Sequence, residues 1–166
     1  MPPFDVMPGS AGTLTLADYT QPTLILPELR EHDTAGIIGE LSQSLQRHGS
    51  VLDMLPFYHA ALNQELLSNS ALPCGMAFPH ARLGGVKQVQ FALGRAPQPV
   101  TWGSKNSWPV RLIFLLAVPA TDAAQYLHLL ATLARLGQQP ERLAELCSAS
   151  SAEGIFSALE RVVMRP

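Results

Sequence analysis

A histidine directly follows a proline in the segment Gly75–Arg82, which reads GMAFPHAR. A neutral imidazole keeps one ring nitrogen with a free lone pair near pH 7, so it can act as a base, a metal ligand or a nucleophile. Pro79 has a fixed φ and favours extended backbone at Phe78, which leaves the chain that presents His80 little freedom. These residues predict a histidine held in one orientation after a strand end, on a loop of the kind that often carries function.

Three other kinds of site lack their sequence signatures. A zinc site needs ligands at short spacing, but Cys74 lies six residues before His80, and His59 falls on a predicted helix. The G-x-S-x-G motif of hydrolases is absent, as are the phosphate-binding motifs G-x-x-x-x-G-K-[ST] and G-x-G-x-x-G. The sequence therefore predicts no metal and no cofactor. Residue types alone leave His80 open between a functional histidine and a structural or merely exposed one.

Composition favours one globular domain, because 47% of the 166 residues are apolar and such a chain can bury a core. A net charge of −2 with eleven scattered Lys and Arg predicts no binding to nucleic acid or to a membrane surface. Two distant cysteines, Cys74 and Cys147, favour a reducing cytoplasm over a disulfide framework. Residues 1–12 are predicted to be a flexible tail, and residues 13–166 a single domain.

Five helices are predicted from apolar residues at helical spacing and from capping residues. They run from Asp33 to Gly49, from Asp53 to Leu67 and from Asp122 to Leu136, and the last two start at Pro140 and Ser150. The apolar sides of the first three are Ile37, Ile38, Leu41 and Leu45; Leu55, Tyr58, Leu62 and Leu66; and Tyr126, Leu129, Leu130, Leu133 and Leu136. Glu153, three residues after Ser150, predicts a capping box at the last helix.

One strand is predicted before the first helix, and the others lie between the second and third helices. The predicted strands are Leu24–Leu26, Met76–Phe78, Gln88–Gly94 and Leu112–Val118, with a further short strand at Val100–Trp102. The continuous apolar run from Leu112 suits a central strand that is covered on both faces. This order of elements predicts an α/β fold, a three-layer α/β/α sandwich around a mixed, partly parallel sheet. His80 is then expected at a strand end, beside a shallow surface depression.

The stretch from Glu65 to His80, ELLSNSALPCGMAFPH, resembles the active-site region of type 2 enzyme IIA domains, the fructose, mannitol and nitrogen-regulatory type, of the bacterial phosphotransferase system. In that family a glutamate is followed fifteen residues later by the histidine of a G-I-A-I-P-H motif, and this chain keeps the spacing and the pattern. The runs VRLIFLLAVPA and YLHLLATLARL are similar to the family's central strand and the helix after it. The resemblance covers about Asp33 to Val163 and implies the family's phosphotransferase/anion transport protein-like fold.

The resemblance implies a phosphoryl carrier of the phosphoenolpyruvate-dependent sugar phosphotransferase system. In such a protein, Nε2 of His80 accepts a phosphoryl group from the phosphohistidine of HPr and passes it to a cysteine of an enzyme IIB, here on a separate chain. That transfer needs positioned groups and hydrogen-bond donors rather than a metal. Ser70, where the family usually has Thr, would place a hydroxyl on the phosphoryl oxygens. Backbone N–H groups after His80 would form an anion nest, and Arg82 is either a cation of the site or a solvated surface residue.

Two departures from the family pattern bear on this site. The family commonly has Arg just before the glutamate, where this chain has Gln64, and often a second histidine where the helix register places Tyr126. Two cationic donors are therefore missing from the expected phosphate site. Tyr126 keeps one hydroxyl donor, whereas His128 is expected to face elsewhere. The alternatives are a nitrogen-type regulatory module controlled by phosphorylation of His80, and a degenerate binding domain that is not phosphorylated.

Overall fold

The structure of the chain, a computed structural model, describes residues 13–103 and 107–165. The helices are α1 Thr34–His48, α2 Met54–Leu67, α3 Ala124–Leu136, α4 Pro140–Ser148 and α5 Ala152–Leu159. The strands are β1 Ile25–Leu26, β2 Met76–Ala77, β3 His80–Leu83, β4 Gln90–Thr101 and β5 Pro109–Pro119. The predicted tail at residues 1–12 lies outside the described residues. No helix in the described part of the chain is long and apolar enough to span a bilayer.

One mixed sheet of five strands forms the centre of the molecule. β4 and β5 are antiparallel neighbours, and β1 lies parallel to β4 at one edge. β2 and β3 both lie parallel to β5 at the other edge, β2 beside its beginning and β3 beside its end. They therefore act as one edge strand that is interrupted at Phe78 and Pro79. The predicted mixed, partly parallel sheet is confirmed.

Helices cover both faces of this sheet. Side chains of a strand point alternately to opposite faces, and β5 divides accordingly. Its residues Leu112, Phe114 and Leu116 pack with α3, α4 and α5, whereas Ile113 and Leu115 pack with α1 and α2. All five are buried. The predicted three-layer α/β/α sandwich is thus confirmed, and it places His80 on the face that α3 covers.

The proline before His80 does not lead into a loop, contrary to the sequence prediction. The Phe78 N–H leaves the sheet and donates to the hydroxyl of Ser70 at 2.7 Å, and Pro79 has no N–H. The Pro79 carbonyl nevertheless accepts from the Leu116 N–H at 2.9 Å, and pairing with β5 resumes at His80. His80 is the first residue of a paired strand, so strand pairing as well as Pro79 fixes its backbone.

The buried side of α2 differs from the predicted one. Leu55 and Leu66, expected to face the core, are 60% and 56% exposed, and the buried residues are Phe57, Ala61 and Glu65. Apolar residues occur all around this helix, so their spacing does not single out one face. Hydrophobic periodicity did not indicate the buried face of α2, because one of the three residues on that face is a carboxylate.

β4 unites two predicted strands, Gln88–Gly94 and Val100–Trp102, into one long strand. Its register with β5 is irregular after Arg95, and Pro97 and Pro99 lie exposed in that stretch. Proline cannot donate to a neighbouring strand, so it is confined to edges and irregular positions of a sheet. Because of these two prolines the sequence predicts two strands, whereas the structure has one continuous strand, β4.

The helix ends follow the predicted caps with one exception. Asp33 caps α1 and accepts from the Gly36 N–H at 2.7 Å. At α5 the cap is Ser151, whose hydroxyl accepts from the Gly154 N–H at 3.0 Å. The predicted cap is therefore wrong by one residue, and the capping box with Glu153 does not form, because the residue three after Ser151 is Gly154.

We predict that Gly94→Ala in β4 lowers the free energy of unfolding. A Cβ at this position would lie 2.7 Å from the Cδ2 atom of Leu29, which is itself buried. Overpacking of this kind costs about 1–3 kcal/mol. Gly84→Ala is the matched control, since its Cβ would meet nothing within 4 Å. Urea denaturation should show a lower midpoint for Gly94→Ala alone, and equal midpoints for the two variants would contradict the packing argument.

Candidate functional site

The imidazole of His80 lies between two oxygen atoms. Its Nδ1 is 3.4 Å from the Phe78 carbonyl, and its Nε2 is 3.1 Å from the hydroxyl of Tyr126 in the first turn of α3. The ring centroids of His80 and Tyr126 are 5.1 Å apart. His80 is half-buried rather than sealed in the core. The predicted register of the third helix, which turns Tyr126 toward His80, is confirmed.

The two partners assign the tautomer of the neutral ring. A carbonyl oxygen can only accept, so Nδ1 carries the proton and Nε2 keeps the lone pair. The Tyr126 hydroxyl then donates to Nε2. Burial raises the pKa of this phenol above its ordinary value, and the nearby Arg82 guanidinium opposes part of that rise. Tyr126 therefore stays protonated at neutral pH and remains a donor.

A buried carboxylate organises the backbone before His80. Glu65 is 2% exposed, and its Oε2 accepts from the indole N–H of Trp102 at 2.6 Å. The Ser70 N–H donates to the same oxygen at 2.8 Å, and the Ser70 hydroxyl donates to the carboxylate at 2.8 Å. The oxygen of that hydroxyl accepts from the Phe78 N–H. The network thus runs from Trp102 to Phe78, whose own carbonyl orients Nδ1 of His80.

These contacts change the role expected for Ser70. A serine hydroxyl has one proton, and here it is directed at Glu65 rather than at the place of a phosphoryl group. Donation to a phosphoryl oxygen would break the bond to the buried carboxylate. Ser70 is therefore a positioning residue, which holds Phe78 and so the ring of His80.

Arg82 stands on the same face of β3 as His80, because side chains two apart along a strand point the same way. It is exposed, and its Nε donates to the Ala120 carbonyl at 3.1 Å. This places a cation beside the pair of His80 and Tyr126. Gln64 is exposed on α2, and in the described residues no hydrogen bond joins its side chain to His80.

The anion nest expected after His80 does not form. A nest needs successive backbone N–H groups turned toward one point, whereas the residues after His80 are extended and paired with β5. The site therefore offers side-chain donors, chiefly Tyr126 and Arg82. Groups of three or more His, Cys, Asp or Glu side chains that could hold a metal do not occur among residues 13–103 and 107–165.

Sequence reasoning missed Trp102 as a member of this site. It lies 37 residues after Glu65, beyond the reach of any local motif. One signal was available, because a buried Trp usually finds a partner for its indole N–H. Trp102 is fully buried, and its partner is the carboxylate.

The four other histidines lie in different surroundings. His32, His59 and His128 are exposed, and His48 is half-buried with its Nδ1 at 3.3 Å from the hydroxyl of Thr23. His128 shares α3 with Tyr126 and does not point at His80, as the register predicted. It is a suitable reference residue for tests of His80.

The mixed sheet covered by helices on both faces agrees with the fold that the resemblance implies, and the histidine of the GMAFPH motif lies in its edge strand. The family model described as "Phosphoenolpyruvate-dependent sugar phosphotransferase system, EIIA 2" matches residues 18–162. The chain belongs to this family.

Individual relatives include both regulatory and sugar-specific proteins. The chain is 28% identical over 151 residues to a nitrogen regulatory protein of Bradyrhizobium diazoefficiens, covering 88% of this chain and 95% of that protein. It is 28% identical over 135 residues to the PTS system fructose-specific EIIABC component of Bacillus subtilis, covering 80% of this chain but 21% of that longer protein. Nitrogen regulatory protein IIA-Ntr from Neisseria meningitidis has a similar solved structure, with a TM-score of 0.74, 27% identity, and coverage of 87% of this chain and 98% of that chain.

We predict that Ser70→Ala destabilises the fold, because it removes a donor from the buried carboxylate and the acceptor of the Phe78 N–H. Leaving a buried polar group unsatisfied costs about 1–3 kcal/mol. Ser70→Thr keeps the hydroxyl and should lose much less. Chemical denaturation measures both. Equal losses in the two variants would show that the hydroxyl does not carry the effect.

Proposed function

We propose that this protein is a phosphoryl carrier and that Nε2 of His80 is the atom that accepts the phosphoryl group. The orientation of the ring is the observation that carries the proposal. With Nδ1 facing the Phe78 carbonyl at 3.4 Å, the lone pair of the half-buried ring stays on Nε2. Membership in the EIIA 2 family supports the same assignment.

The proposed phosphoryl transfer forms one N–P bond and breaks another, and no proton leaves the site. The Nε2 lone pair attacks the phosphorus of the donor phosphohistidine, and the N–P bond of the donor breaks with its electron pair returning to that ring. Nδ1 of His80 keeps its proton. In the next step a cysteine thiolate of the acceptor attacks phosphorus, and the electron pair returns to Nε2. The resemblance implies HPr as donor and an enzyme IIB as acceptor.

Tyr126 and Arg82 would stabilise the transferred group. Charge in such a transition state spreads over the three equatorial oxygens. The Tyr126 hydroxyl lies 3.1 Å from the attacking atom, and a small rotation brings it from Nε2 to an oxygen on phosphorus. Arg82 supplies a positive charge nearby. The proposal places this single domain, residues 13–166 after a tail at 1–12, in the cytoplasm.

A second candidate is a regulatory module whose binding to partners depends on phosphorylation of His80. The nitrogen regulatory relatives favour it. The neutral side chains Gln64 and Tyr126, at positions that often carry cations in the family, would slow the transfer or weaken the phosphorylated state. The extreme case is a degenerate domain, indicated if the wild type takes no phosphate but Tyr126→His combined with Gln64→Arg does.

The first test is incubation of the full chain with phosphoenolpyruvate, enzyme I and HPr, followed by intact-mass measurement. We expect the mass of one phosphoryl group, labile in acid, on the wild type. His80→Ala should lose it completely, whereas the matched control His128→Ala should keep it. Transfer onward to an added enzyme IIB would support the carrier over the regulatory module. Phosphate that persists on His80→Ala would refute the assignment.

The second test concerns the hydroxyl of Tyr126. If it binds a phosphoryl oxygen during transfer, Tyr126→Phe should slow phosphorylation of His80 by about tenfold to a hundredfold, the equivalent of a lost hydrogen bond to a charged group. Tyr126→His should keep or raise the rate, since it restores a donor. A faster reaction in Tyr126→Phe would show instead that the hydroxyl blocks the lone pair of Nε2. An unchanged rate would remove the hydroxyl from the mechanism.

A further inference from the structure

Four arginines line one recess far from His80. The recess has a volume of about 260 Å³ and lies between the end of α3, the start of α4 and the segment after α5. Its arginines are Arg135, Arg142, Arg161 and Arg165, and we call it the arginine recess. They are four of the eleven basic residues in a chain of net charge −2. Tyr126 lies in the first turn of α3 and Arg135 in its last turn, about 14 Å further along at 1.5 Å per residue.

Two of these guanidinium groups are braced by neutral side chains. Arg135 Nη2 donates to the Thr132 hydroxyl at 3.2 Å, and Arg142 Nε donates to Oε1 of Gln139 at 2.8 Å. Thr132 is 1% exposed, and both arginines are half-buried. A neutral acceptor fixes a guanidinium without cancelling its charge. Each fork also keeps further N–H donors for a ligand.

Local negative charges account for only part of this cluster. Arg161 forms an ion pair with Glu145. In the part of the chain that the structure describes, Arg135, Arg142 and Arg165 form no such ion pair. The recess therefore matches a ligand that carries more than one negative charge.

We propose that the arginine recess binds the dianionic phosphoryl group of a small molecule. Planar guanidinium forks match phosphoryl oxygens in paired hydrogen bonds. The volume lies just below the roughly 300–1,000 Å³ of most small-molecule sites, which suits a compact phosphate monoester. A concave recess also favours such a ligand over the surface of an acidic protein. This site is separate from His80 and does not rest on the proposed function.

The test is a titration of the full chain with methyl phosphate, at fixed ionic strength, followed by amide NMR shifts. We expect saturable shifts at Thr132, Arg135, Gln139 and Val162. Arg142→Gln and the exposed Arg165→Gln should each weaken binding about tenfold, the loss of one charge-assisted contact. Arg30→Gln, which lines a different cavity beside α1, is the matched control and should bind normally.

The titration is repeated on His80→Ala, so that the outcome does not depend on the phosphoryl-carrier proposal. Retained binding in that variant supports a separate site, and lost binding overturns the inference. Shifts that do not saturate, or that sodium chloride reproduces, overturn it as well. Saturation by a polyglutamate peptide but not by methyl phosphate would replace the small ligand with an acidic protein partner.

Discussion

A carboxylate withdrawn from water must find its hydrogen bonds inside the protein, and much of this site depends on how Glu65 finds them. Its donors come from Ser70 and from Trp102, so one side chain joins α2, the loop after it and the residue that follows β4. The Ser70 hydroxyl also accepts a hydrogen bond from the Phe78 N–H, so the position of Phe78 depends on Glu65 as well. The direction of the His80 ring is therefore set by a buried charge and its partners, more than by the residues that surround the imidazole.

The sequence predicted elements well where one physical signal dominated. α1 and α3 have one apolar stripe each, and the register of α3 was sufficient to bring Tyr126 to His80. Periodicity failed for α2, whose inner stripe includes Glu65, because hydrophobicity counts a carboxylate as polar whatever its partners. Family resemblance identified Glu65 and His80 as site residues. It did not identify Trp102, since the hydrogen bond from its indole N–H to Glu65 forms only when distant segments of the chain meet.

The positive charge of the molecule is distributed unevenly along α3. Its first turn brings a neutral phenol to the histidine, with Arg82 as the neighbouring cation, while its last turn belongs to a cluster of four arginines. A donor whose pKa is raised by burial gives a directional hydrogen bond without adding charge. The proposed phosphoryl site thus combines one directional donor with one nearby cation, whereas the proposed binding at the other end of α3 depends mainly on electrostatic attraction.

The parallel pairing of β3 with β5 also has a consequence for the order in which the chain folds. β4 and β5 form an antiparallel hairpin, whose contacts are local and close a short loop. The contacts of the site join residues 37 and 46 positions apart, and long loops close late because they cost more entropy before any contact forms. The hairpin can exist before the edge strand docks on it, but the histidine site cannot. The proposed uptake of phosphate at His80 therefore requires that α2, the edge strand and α3 have docked on the hairpin.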